Sequence, residues 1–287
     1  MFKKFLNGIV GKILIIGLAV MQVPSNVLAF GNKSHEQLSE LAFHRVLEDL
    51  HLTQHLRATP ILVNQCTGPD RDEKKGIGGY YEAHFFNANT DLDKRDTALT
   101  RMEHHYEYAV KYAKGSDWKG AVKELARALH YLQDMCCPVH MWGYSHNNIP
   151  GLLTVHVELE AKWDLMWDSE RILRYIPVDD STLSSNPLPL NARDCGLTFN
   201  RISLDRHSSW LSKSGPQGDI AMAINTVNPF FWLVRLILYG IDSTKSGFDL
   251  GWEDIFVIPY MASYTLVRMW AETVQHFTPP NPACPIQ

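Results

Sequence analysis

The chain has 287 residues, is 45% hydrophobic and carries a formal net charge of −4. That is a globular composition with enough length for one sizeable core. Its acidic balance excludes the broad basic surface of a tight nucleic-acid binder, leaving room only for a local basic groove.

Residues 1–29 stand apart from the rest. Lys3, Lys4 and Lys12 form a basic start, residues 13–23 are an apolar run, "ILIIGLAVMQV", and Val27 and Ala29 occupy the −3 and −1 positions of a cleavage site. This pattern predicts a secretory signal peptide over 1–29. The apolar run is short for a membrane span, which needs about 20 residues. No cysteine lies near the cut, so a lipid anchor is not expected. Cleavage would leave a mature chain from Phe30 with a net charge of −7, since the three lysines leave with the leader. A secreted or periplasmic location follows.

Helical periodicity dominates the mature chain. Residues 35–50 place Leu38, Leu41, Ala42 and Val46 on one stripe. Two helices are predicted over 97–114 and 116–135, joined at Gly115 with Ser116 as N-cap, and Pro138 ends the second. Further helices are predicted over 152–168, 217–241 and 252–276; the segment "NPFFWLVRLILYG" is apolar nearly all round and reads as buried. Strand signals are sparse. Two stretches read as irregular: 64–94, rich in Gly, Asp and Asn, and 177–216, punctuated by Pro. Residues 30–287 are therefore expected to form one all-α domain, a multi-helix bundle.

The densest chemistry lies in "HYLQDMCCPVH", residues 130–140. His130 and Asp134 are four apart on a predicted helix, so they share a face with Cβ atoms about 6 Å apart. His140 follows Pro138, and His156 and Glu160 repeat the four-residue spacing. The order is H-x3-D-x5-H-x15-H-x3-E. Imidazole and carboxylate groups converging from several helices suit zinc. A single His/acid pair is more often a surface contact, and spacing alone leaves a metal site and ordinary helix-surface pairs both open. All five cysteines, Cys66, Cys136, Cys137, Cys195 and Cys284, fall in the mature chain. Export permits disulfides, at most two of them. The adjacent Cys136 and Cys137 are not a Cys-x-x-Cys, so a redox site is not indicated.

The stretch "ALHYLQDMCCPVHM…HVELEAKWD" resembles the core of the bacterial zinc-dependent phospholipases C, whose superfamily includes single-strand-specific zinc nucleases. The resemblance continues in "GPDRDEKKGIGGYYEAHFFNANTD", residues 68–91, and in "FGNKSH", residues 30–35, which looks like the mature start of family members. It spans residues 30–164 and implies an all-helical fold around three zinc ions. Asp70, His84 and His130 would hold one zinc, with Asp134 joining. His140, His156 and Glu160 would hold a second. The terminal amine and carbonyl of Phe30, with His35 and a bridging Asp134, would hold the third. Phe30 stands where the family usually has Trp, which backbone ligation tolerates. Asn87 stands where some relatives have an acid, which bears on support of the ligands.

The resemblance also implies the chemistry: attack by zinc-bound hydroxide on a phosphodiester, with Asp70 as the candidate general base. Three zinc ions outweigh the carboxylates of Asp70, Asp134 and Glu160, so an anionic phosphodiester is attracted even to an acidic protein. Glu160 as the last ligand, the short gap from His140 to His156, and "PD…HFFN" favour a phospholipase C over a nuclease. The expected substrate is a phospholipid of phosphatidylcholine type met at a membrane surface, without a stable nucleic-acid or obligate protein partner. The alternatives are a single-strand-specific nuclease and a non-catalytic zinc-binding structural protein. The family's toxin branch adds a C-terminal lipid-binding domain; here the chain ends at Gln287 soon after the last helix, so a single-domain enzyme is expected.

Neighbourhood in this scheme also suggests a bridge from Cys66 to Cys136 or Cys137. Tyr80, Tyr81, Phe85 and Phe86 flank the expected site. Trp142, Trp163 and Trp167 read as core or pocket lining. His104 and His105 point in different directions and read as packing or surface residues, as do His44, His51, His55, His146, His207 and His276.

Overall fold

The computed structural model describes residues 32–74, 81–141, 189–212 and 252–275. Among them every regular element is a helix: α1 (Asn32–Asp49), α2 (Thr59–Cys66), α3 (Gly68–Lys74), α4 (Ala98–Lys114), α5 (Trp118–Cys136), the single turn α6 (Pro138–Met141), α7 (Ala192–Ser212) and α8 (Trp252–Val274). Two 3-10 turns, Thr53–Ala58 and Tyr81–His84, lie between them. The signal peptide, the predicted helices over 152–168 and 217–241, Phe30, His156 and Glu160 lie outside the described residues. No described helix is long and apolar enough to cross a membrane.

Helix α5 is the axis of the fold. Asp117 caps its start, where Oδ1 accepts the Gly120 N–H at 2.9 Å. Its first turns alternate exposed and buried positions, but every residue from Ala128 to Cys137 is buried. Pro138 fixes the end: the residue before a proline is pushed out of the helical region, and Cys137 is extended at φ −86, ψ 125. Around this axis pack α4 on one side and α1, α2 and α8 on others, with α7 across its C-terminal end. Leu38, Ala42 and Val46 on α1 are fully buried, as their spacing predicts, with Leu41 packed at the edge. Each such Val or Leu contributes on the order of 1.5–3 kcal/mol on removal from water.

Four expectations are corrected. Ser116 does not cap α5; it sits in the left-handed region at φ 62 and turns the chain, leaving the cap to Asp117. The stretch 64–94 is not all irregular, because α3 occupies Gly68–Lys74. The stretch 177–216 contains the 21 residues of α7. Its start is set by Asn191, whose Oδ1 accepts the Asp194 N–H at 2.9 Å, immediately after the prolines. Gly196 weakens the helical signal there, but it is needed for contact: a Cβ would stand 2.8 Å from the Met102 terminal methyl and 2.9 Å from Leu99 and Met135 carbons. Finally, Cys66 makes no bridge. It is a free, buried thiol donating to the Val63 carbonyl at 3.0 Å, and Cys136 and Cys195 are likewise free and buried.

Asn200 on α7 ties three segments together. Its Nδ2 donates to the carbonyls of Met135 at 2.7 Å and Phe86 at 3.2 Å, while its Oδ1 accepts from the Ala88 N–H at 2.9 Å. The side chain is fully buried, so its loss would strand three backbone groups away from water. Asn200→Ala is expected to lower the unfolding free energy by roughly 2–4 kcal/mol, read from urea denaturation by circular dichroism. A loss below about 0.5 kcal/mol would mean that these bonds do not hold the loop to α5.

Candidate metal centre

Six of the expected ligands meet at the C-terminal half of α5. His130 and Asp134 come from α5 itself, one turn apart. His140 is brought back over them by the Pro138 turn, on α6. His35 lies in the first turns of α1, Asp70 in the first turn of α3, and His84 at the end of the 3-10 turn Tyr81–His84. All six are buried.

Asp134 is the hub. Its Oδ1 lies 3.3 Å from His35 Nε2 and 3.3 Å from His140 Nε2. Its Oδ2 lies 2.7 Å from His84 Nδ1 and 3.3 Å from His130 Nε2. Asp70 Oδ1 stands 3.3 Å from His130 Nε2 and 3.9 Å from His84 Nδ1. The imidazoles crowd one another as well: the His35 and His130 ring centroids are 4.1 Å apart, and His130 Nε2 is 3.2 Å from His84 Nδ1. Two sets, Asp70 with His84 and His130, and His35 with His130 and Asp134, each offer ligand atoms within 4.8 Å of one another.

Burial alone would push both carboxyls upward. The facing histidines win: His130, His84 and His35 hold Asp70 below the usual carboxylate range, and His140, His130, His35 and His84 hold Asp134 well below it. His35 is raised, because Asp134 and Asp70 outweigh the effect of burial. His130 is lowered, by burial first and by the charge of His35 in addition. Both acids are therefore held toward the ionised form although both side chains are buried. Such charges persist only with positive partners at hand.

These residues fit a cation on two further grounds. Asp70 Oδ2 and Asp134 Oδ1 are buried and form no hydrogen bond among the described residues, an arrangement that calls for an explanation such as an ion. Three 3.3 Å separations within the two sets also match the edge of a tetrahedron whose ligands lie at about 2.0–2.1 Å from zinc, roughly 3.4 Å.

Surrounding residues separate into lining and core. Tyr131 packs on the His84 and His130 rings, and Phe85 faces His140 at 5.4 Å. Phe86, expected beside Phe85 at the site, is instead buried in the core. Asn87 shapes its own loop, its Oδ1 accepting the Asn89 N–H at 2.9 Å. Away from the cluster, His105 bonds Glu124 at 2.6 Å and His44 bonds Thr59 at 2.8 Å; His146 and His276 lie outside the described residues.

An all-helical assembly holding a buried histidine–aspartate cluster defines the class, and that fold is the one found in clostridial alpha-toxins. The chain is similar to the crystal structure of Clostridium perfringens alpha-toxin from an avian strain, with a TM-score of 0.54 and 15% identity over 88% of this chain and 65% of that one. It is similar too to the alpha toxin of Clostridium absonum, at 0.52 and 14%, over 86% and 64%. The chain thus spans a little under two thirds of the length of these toxins. No protein-family model matches the sequence, and no curated protein matches it by sequence.

The geometry separates the clustered histidines from the others described. His84→Ala is expected to weaken Zn²⁺ binding by roughly a hundredfold or more in competition with a chromophoric chelator, while His104→Ala changes it by less than about twofold. Equal affinities in the two variants would remove His84 from the centre.

Proposed function

We propose that this chain is a zinc-dependent phospholipase C, cleaving the phosphodiester of a glycerophospholipid to diacylglycerol and a phosphorylated headgroup. The observation that carries this reading is the division of Asp134, with Oδ1 facing His35 and His140 and Oδ2 facing His84 and His130. A carboxylate can offer each oxygen to a different cation. A closed structural zinc site needs four ligands around one ion and has no use for a shared carboxylate. The fold likeness to the clostridial alpha-toxins supports the same reading, as do the motif resemblances to the phospholipases C.

Three ions are proposed. Asp70, His84 and His130 hold one, with Asp134. His140, together with His156 and Glu160, holds the second. His35, Asp134 and the terminal amine and carbonyl of Phe30 hold the third. Zinc so bound supplies Lewis-acid polarisation of a phosphoryl oxygen and lowers the pKa of water toward ~7. Asp70 is the base in this scheme. Phe85, half-buried beside His140, is the side chain best situated to meet an apolar part of the substrate. Secretion after cleavage at Ala29 belongs to the same proposal, because only a freed Phe30 amine has a lone pair for zinc.

Three measurements test it. Purified protein beginning at Phe30 is expected to hydrolyse phosphatidylcholine vesicles and leave single-stranded DNA intact; the reverse preference would assign the nuclease activity instead. Asp134→Asn should lose zinc and turnover together, with hydrolysis down by about 10³-fold or more; near-normal zinc and rate would take Asp134 out of the mechanism. One extra residue before Phe30 should cost one zinc and most of the activity while leaving the helical circular-dichroism spectrum unchanged, and identical zinc content would mean that the amine is not a ligand.

A further inference from the structure

Behind His35 lies a buried polar chain that the catalytic reading does not use. Gln133, on α5 beside Asp134, is fully buried. Its Oε1 lies 2.6 Å from His35 Nδ1. Its Nε2 donates to Ser39 Oγ on α1 and to Ser263 Oγ on α8, each at 3.0 Å. Ser263 in turn donates to the Pro259 carbonyl at 2.8 Å, one turn earlier on α8.

The protons in this chain can be assigned one by one. A carbonyl oxygen only accepts, so the single Ser263 hydroxyl proton goes to Pro259. Ser263 Oγ is then left to accept, and the group facing it must be the amide nitrogen of Gln133. That nitrogen has two hydrogens, and Ser39 and Ser263 take one each. The Gln133 Oε1 is thereby turned toward His35 and can only accept. His35 must therefore carry its hydrogen on Nδ1, and in the neutral ring Nε2 keeps its lone pair.

That outcome runs against the local field. His35 Nε2 points at Asp134 Oδ1, 3.3 Å away. Left alone, a neutral imidazole beside a buried carboxylate would place its hydrogen on the nitrogen facing it, here Nε2. A ring in that tautomer has no lone pair at Nε2 to offer a metal.

We propose that Gln133 and Ser263 are positioning residues that select the metal-competent tautomer of His35, and that α8 thereby takes part in building the site. The proposal rests on the reading of His35 as a zinc ligand. Carbonyl or carboxylate partners on the far nitrogen of a metal-bound imidazole are a common device, and losing one costs about 10–100-fold in metal affinity. Here the far partner is a side-chain amide whose own direction is set by a serine on another helix.

The test is nitrogen NMR of the His35 ring in metal-free protein, at a pH high enough for the ring to be neutral, together with zinc affinity. The native protein is expected to show the hydrogen on Nδ1. Gln133→Leu should move it toward Nε2 and weaken one zinc by about 10–100-fold. Gln133→Glu, which keeps an acceptor toward Nδ1, should restore the native tautomer. Ser263→Ala should give a mixed tautomer and about tenfold weaker zinc, and Ser263→Thr, which keeps the hydroxyl, should recover both. A native ring carrying its hydrogen on Nε2 would overturn the proposal, as would a folded Gln133→Leu protein with an unchanged tautomer. If Gln133→Leu fails to fold, the Ser263 pair decides: no difference between Ala and Thr overturns it. The expected tautomers without any bound zinc would uphold the relay and overturn the zinc reading instead.

Discussion

The described helices meet around one buried charge, the carboxylate of Asp134. A fully desolvated carboxylate carries a penalty of several kcal/mol, and it is tolerated only where positive partners surround it. Four imidazoles face it, from α1, α5, α6 and the turn before Phe85. Asp70 adds a second negative charge against His130. The histidines that face the two acids hold both carboxyls below their usual range, and any of them that is protonated would have to release its proton to take a cation.

The helices exist to bring those groups to one place. Helix α5 supplies two of them and runs between the other described helices, buried from Ala128 to Cys137. Its stop at Pro138 sends the chain back within one turn, which is why His140 can face a residue only six positions earlier. Helix α7 clamps that end: Asn200 holds Met135 and Phe86, and Ser203 donates to the Cys136 carbonyl at 2.7 Å. The loop that follows His84 is thus fixed to the helix that carries His130. Helix α8, distant in sequence, closes the opposite side through Ser263 and Gln133.

Much of the centre was legible because helical spacing projects directly into space. His130 and Asp134 share a face by arithmetic, and the stripe Leu38–Ala42–Val46 says which way α1 turns. His35, Asp70 and His84 have no such spacing; only motif resemblance singled them out, since their meeting depends on how separate helices pack. The helix α7 was missed for a local reason: Gly196 and a run of polar residues lower the propensity, while the contact with Leu99, Met102 and Met135 that favours glycine is invisible in one dimension. Helix α3 was missed because a seven-residue segment headed by Gly and Pro reads as a turn. Gln133 was missed because glutamine usually marks a surface. Its place one residue before Asp134, in a stretch otherwise apolar, was the available signal. The proposed bridge from Cys66 failed because nearness to metal ligands in sequence does not bring two sulfurs together; Cys66 faces its own helix.

The central claim is that one carboxylate serves two cations. X-ray diffraction recorded on both sides of the zinc absorption edge, from crystals of protein beginning at Phe30 grown with zinc, tests it most directly. The account predicts anomalous peaks at coordination distance, about 2.0–2.2 Å, from both oxygens of Asp134. A lone ion bound through one oxygen, or zinc bound only elsewhere with Asp134 paired to protonated histidines, would contradict it.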